Sequence, residues 1–130
     1  MVGEYIESII QELLVSRVVS SFRTLKRVEG EEDGYVRIKC SLSNGDILEF
    51  AKFFRIQKTK VLIEMYSYHW QSSNGSLLKR WDNVPHHKEL KSFPHHLHLR
   101  DGKVVKSLLM TFKKVLAIIE EAIPEDTNNE

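Results

Sequence analysis

All six histidines of this 130-residue chain, His69, His86, His87, His95, His96 and His98, fall between residues 69 and 98. An imidazole titrates near neutral pH, so it can take a proton, give one, ligate a metal ion or contact an RNA phosphate. The same stretch holds both tryptophans, Trp70 and Trp81, the carboxylate of Asp82, and Pro85 and Pro94, each directly before a His-His pair. Metal-free RNA cleavage needs one imidazole to remove the 2′-hydroxyl proton, a second to protonate the departing 5′-oxygen, and a cation beside the phosphate. His69, His86, His87, His95, His96 and His98 supply the imidazoles, and Lys79, Arg80 and Arg100 the cation. Asp82 can fix a histidine tautomer and raise its basicity. Tyr66, Tyr68, Trp70 and Trp81 offer stacking surfaces for unpaired bases, provided that they are exposed.

Two other chemistries use the same residues. His96 and His98 project together from an extended segment, and Asp82 or His86 could complete a zinc-like ligand set. Their spacing matches no strong zinc motif and no second cysteine exists, so no cofactor is assigned and a divalent ion is the one option kept. The histidine loop could also be a protein-binding surface without turnover. A serine hydrolase lacks its Gly-x-Ser-x-Gly elbow, and nucleotide hydrolysis lacks its phosphate loop.

The elements that must position these groups can be read from periodicity. Val2, Ile6, Ile9, Ile10, Leu13 and Leu14 recur at helical spacing and predict an amphipathic helix of about three turns. Val18 to Glu29 reads as a strand, ended by the turn signal Glu31-Glu32-Asp33-Gly34. Tyr35, Arg37 and Lys39 alternate with Val36, Ile38 and Cys40, which predicts a strand with one wetter face and a buried thiol at Cys40. Asn44-Gly45 and Asn74-Gly75 mark two hairpin turns. Between them lie strands over 47–55 and from Lys60 to Tyr68, and Leu77 to Trp81 returns beside the latter, placing His69 near Leu78 to Arg80.

Taking Val61, Ile63 and Met65 as core-facing puts His69 on the helical side and Tyr66, Tyr68 and Trp70 opposite, unless a bulge intervenes. Residues 83–102 have no periodicity and read as a proline-braced loop. A last helix is predicted within Val104 to Ile123, roughly 15 to 18 residues long and stopped by Pro124, with Lys103 and Lys106 early and Glu120 and Glu121 late against its dipole. The expected fold is α+β: an antiparallel sheet of about five strands flanked by N-terminal and C-terminal helices.

The length fits a single domain over 1–130, with 124–130 a flexible acidic tail. Nineteen Lys and Arg against eighteen Asp and Glu leave a formal charge of +1, which excludes neither RNA nor protein partners because a local patch decides. Cys40 is the sole cysteine, so an internal disulfide is impossible. The early acidic residues and the lack of a long apolar run predict a cytoplasmic chain with no membrane partner.

Four ordered strings, Tyr66-Ser67-Tyr68-His69-Trp70-Gln71, Arg80-Trp81-Asp82-Asn83, Pro85-His86-His87 and Phe93-Pro94-His95-His96-Leu97-His98, resemble the TumE family of type II toxin–antitoxin toxins. The resemblance covers about residues 30 to 100. It implies a growth-inhibiting protein paired with an antitoxin encoded nearby, often one resembling a DNA-binding regulator, and a ribonuclease-like activity as an extension. On this reading His69, Asp82, His86, His95, His96 and His98 are catalytic candidates, and Tyr68, Trp70, Arg80, Trp81 and Arg100 contact RNA. A second copy of the chain, as a homodimer, is a further partner to consider. The chain departs from the family at Leu99-Arg100-Asp101-Gly102-Lys103, where related chains often carry an acidic stretch. Its more basic exit suits RNA binding, or marks a member that has lost toxicity.

Overall fold

The computed structural model describes residues 1–125. Helix α1 (Val2–Val15) leads into seven strands, β1 (Val19–Glu29), β2 (Asp33–Leu42), β3 (Ile47–Gln57), β4 (Lys60–Gln71), β5 (Leu77–Asp82), β6 (His96–Leu99) and β7 (Val104–Lys106), and helix α2 (Phe112–Ala122) follows. The strands form one antiparallel meander in sequence order. Short connections make each strand pair with its neighbour in the chain, the simplest topology for such a sequence. Gly45 and Gly75 turn the two expected hairpins with φ of +93° and +90°, where a Cβ would be strained.

Both helices cover the same face of the sheet. Val2, Ile6, Ile9 and Leu13 from α1 and Phe112, Val115, Leu116 and Ile119 from α2 join one core with the alternate residues Val36, Ile38, Cys40, Leu48, Phe50 and Phe54. Arg17 ties the helices together, donating to the carbonyls of Glu120 at 2.5 Å and Ile123 at 2.9 Å and so satisfying the C-terminal end of α2. The Cys40 thiol is buried as expected, and burial pushes it up to about 12.

Three expectations are corrected. The sheet has seven strands, because β6 and β7 arise from segments read as loop and helix. The last helix is 11 residues long and begins at Phe112, capped by the Thr111 side chain accepting from the Lys114 N–H. Leu108 and Leu109, which imitate a helical face in sequence, are 78% and 53% exposed, and Lys103 and Lys106 belong to the β6–β7 hairpin rather than to a helix. The acidic tail expected from residue 124 lies outside the described residues from 126 onward.

The third correction concerns β4. Ile63 pairs with Phe54 and Met65 with Phe53, so Glu64 is an extra residue in the ladder, a β-bulge. Beyond it the two faces exchange: Tyr66, Tyr68 and Trp70 enter the core, and Ser67, His69 and Gln71 occupy the open face. The Asn83 side chain clamps the bulge, accepting from the Tyr66 N–H at 2.8 Å and donating to the Glu64 carbonyl at 3.1 Å.

Candidate functional site

On the open face the ladder aligns two transverse rows. One runs Arg37, Ala51, Ser67, Asp82, His96 and Lys106; the other runs Lys39, Glu49, His69, Arg80, His98 and Val104. The register places His69 opposite Arg80, within the interval the hairpin turn implies. On β1, Arg23 and Lys26 pair with Lys39 and Arg37, extending a basic surface away from the histidines.

Asp82 is the centre. Its side chain is almost entirely shielded, yet both oxygens are occupied. Oδ1 lies 2.8 Å from His96 Nε2 and accepts the Val84 N–H at 3.1 Å; Oδ2 lies 3.1 Å from Arg80 Nε and 3.5 Å from His98 Nε2. A buried carboxylate persists only with such partners. His96 is equally enclosed, and its Nδ1 must carry a proton to bond the Pro94 carbonyl at 3.0 Å. That leaves Nε2 facing Asp82 Oδ1 at 2.8 Å, a contact that is attractive with a proton between the two atoms.

His98 is half-buried, and burial holds it below the usual histidine range; the nearby Asp82 charge works the other way, while the neighbouring His96, Arg80 and His87 reinforce the lowering. His87 closes the cluster, its ring edge-on to His96 at 5.1 Å and His98 at 6.0 Å. It sits at φ +61°, a left-handed conformation that costs a non-glycine residue on the order of 1 kcal/mol. Its Nδ1 lies 3.2 Å from Glu89 Oε1.

The structure thus brings together Asp82, His96, His98 and Arg80 from the residues singled out in sequence. It does not bring in the others. His86 is exposed, so of the Pro85-His86-His87 string it is His87 that meets the cluster. His95 turns to the helix-covered side, where its Nδ1 lies 2.7 Å from the Tyr66 hydroxyl; burial, then His96, lowers its pKa.

His69 lies in the adjoining groove of about 260 Å³, with Arg37, Lys39, Glu49 and Arg80 along its walls. Its Nε2 meets Gln71 Oε1 at 3.1 Å, its buried Nδ1 lacks a partner among the described residues, and burial, then Arg80, lowers its pKa. Arg100 is exposed in the turn between β6 and β7. Tyr68, Trp70 and Trp81 are 1%, 7% and 2% exposed in the core, so their rings offer no stacking surface. His87 is among the candidate imidazoles, but spacing does not say that it rather than His86 meets the cluster, and the clamp residue Asn83 does not announce its role. One further signal for His87 is that histidine is among the residue types enriched at positive φ.

The donor set also suits a metal ion: one ligand atom from each of Asp82, His96 and His98 lies within 4.8 Å of the others. A histidine whose second nitrogen is anchored to a backbone carbonyl, as His96 is, has the geometry of an oriented ligand. No helix among the described residues is long and apolar enough to cross a membrane. A family model described as Toxin TumE matches residues 6–123. No curated protein and no solved structure matches the chain.

Proposed function

The chain belongs to the TumE toxin family, and from that premise we propose that it inhibits growth by cutting RNA at the Asp82 cluster. The observation that supports this reading most is one buried carboxylate shared by His96, His98 and Arg80 at the end of a basic open face. Single-stranded RNA would lie along the Arg23, Lys26, Arg37 and Lys39 side, its phosphates drawn by charge, with the scissile phosphate beside Arg80.

His98 is the base in this scheme. With its Nε2–H toward Asp82, Nδ1 carries the lone pair, and burial favours the neutral ring that a base requires. Nδ1 takes the 2′-hydroxyl proton, the 2′-oxygen attacks phosphorus, and the bond to the 5′-oxygen breaks. His87 gives that oxygen a proton from Nε2, its Nδ1 being directed at Glu89. The products are a 2′,3′-cyclic phosphate and a free 5′-hydroxyl. Arg80 offsets the charge gained by the phosphate, and His96 holds Asp82 in place.

Growth inhibition and RNA degradation measured for His98→Ala, His87→Ala and His86→Ala test the assignment. Loss of about 100-fold or more is expected for the first two, with His86→Ala close to the parent. Full activity in both His98→Ala and His87→Ala would end it.

A second reading rests on the ligand geometry of Asp82, His96 and His98. There a divalent ion would bind those three residues and act as Lewis acid on the phosphate. Activity abolished by EDTA and restored by zinc or manganese would favour the ion; activity indifferent to EDTA would favour the imidazole pair. The partner expected of such a toxin is an antitoxin encoded nearby, tested by co-expression and co-purification.

A further inference from the structure

Strand alternation in β3 places Lys52 between Phe50 and Phe54 on the covered face, where it is 4% exposed. Its ammonium lies 5.8 Å from the centre of the Tyr5 ring and 5.7 Å from those of Tyr68 and Phe112. Among the described residues it has one hydrogen bond, to the Tyr5 hydroxyl at 3.3 Å, and no carboxylate comes within 4.0 Å. An ammonium has three donors and loses much hydration on burial, so this one is short of partners.

The group borders a cavity of about 180 Å³ between the two helices and the sheet. A dry cavity of about 150 Å³ admits benzene, so a ring-sized molecule fits. Ile9, Tyr68, Leu109 and Phe112 give it apolar walls. The N-terminus of α2 also lines it at Thr111, Phe112 and Lys113. Thr111 takes the Lys114 N–H, leaving the N–H groups of Phe112 and Lys113 without an intrahelical acceptor at the positive end of the helix.

We propose that this cavity binds a compact organic anion, a carboxylate on a flat apolar body, with the acid against Lys52 and the first turn of α2. A positive end, ring-lined walls and ring-sized space together select that class. Glu12, also in the lining, opposes any anion and a dianion more strongly than a single carboxylate. The site lies on the other side of the sheet from the Asp82 cluster, with Asn83 and His95, the chain neighbours of Asp82 and His96, in its lining, and it does not rest on the RNA-cleavage reading.

Benzoate is the probe, with benzyl alcohol as its neutral counterpart, titrated into the full chain and followed by calorimetry and by amide chemical shifts around Lys52 and Phe112. Saturable benzoate binding at least tenfold tighter than benzyl alcohol is expected, and at least tenfold weaker in Lys52→Met. A pH profile needs no variant. Burial brings Lys52 down to about 8, against the attraction of Glu12. Benzoate affinity therefore falls above pH 8, toward tenfold per pH unit, while benzoate stays ionised.

The other groups facing the cavity do not reproduce that fall. Tyr5 is raised to about 12 and Tyr66 and Tyr68 are raised, so they stay protonated, and His95 is lowered and titrates below the window. Glu12 and Lys113 complete the set. Equal binding of the two probes, no binding of benzoate at 10 mM (on the order of 3 kcal/mol or less), or a flat profile from pH 7 to 10 would overturn the proposal.

Discussion

The two faces of the sheet treat a buried charge in opposite ways. On the open face, the Asp82 carboxylate is enclosed with two imidazoles, a guanidinium and a backbone N–H around it. On the covered face, the Lys52 ammonium is enclosed with rings and one hydroxyl. A satisfied buried ion loses heavily when a partner is removed; an unsatisfied one loses little when it is removed itself. The first arrangement therefore holds local structure together, whereas the second is a standing cost that a ligand can relieve.

The sharpest break of this contrast is Asp82→Ala. It strands His96 and Arg80, and a loss of about 3–5 kcal/mol in urea unfolding is expected together with loss of RNA cleavage. Retained stability would mean that the cluster is not held by its carboxylate. His98→Ala separates chemistry from structure: cleavage should fall about 100-fold or more while unfolding shifts by less than about 1 kcal/mol, because His98 reaches solvent. Asn83→Ala removes both bonds to the bulge and should cost about 1–3 kcal/mol, read by the same unfolding curves.

The covered face predicts the opposite sign. The Lys52 pKa is lowered to about 8 in the folded chain, so above pH 8 this side chain holds more proton in the unfolded chain and its contribution to stability rises with pH. Unfolding midpoints should climb from pH 8 to about 9, on the order of 1 kcal/mol per pH unit at most, before the Cys40 thiol, which ionises first in the unfolded chain, opposes the rise; the climb is absent in Lys52→Met. The smallest effect is expected of His87→Gly: relief of the left-handed backbone adds about 0.5–1 kcal/mol to stability at most, while cleavage drops because the imidazole is gone. A destabilised, fully active His87→Gly would remove His87 from the site.

Much of this contrast is legible in the residues. The Asn-Gly hairpins, the first helix, the alternating wet face of β2 and the shared direction of His96 and His98 all follow from local pattern, because turn chemistry and side-chain period act over a few residues. The remainder depends on contacts distant in sequence. His96–Leu99 has little intrinsic strand preference and becomes β6 by pairing with β5. Leu108 and Leu109 copy helical spacing, but they lie outside any regular element, ahead of the Thr111 cap. A single residue at Glu64 inverted the expected faces of Tyr66 to Trp70, and its clamp comes from Asn83, nearly twenty positions away.

That bulge makes strand length a binary variable. Downstream of Glu64, every side chain of β4 has its sign set by whether the count of residues is odd or even. Deleting Glu64 would leave the composition nearly untouched, yet it would offer Ser67 and His69 to the core and turn Tyr66, Tyr68 and Trp70 toward solvent. In this fold a frame error of one amino acid is more disruptive than most substitutions, and Asn83 works as a proofreader of the frame.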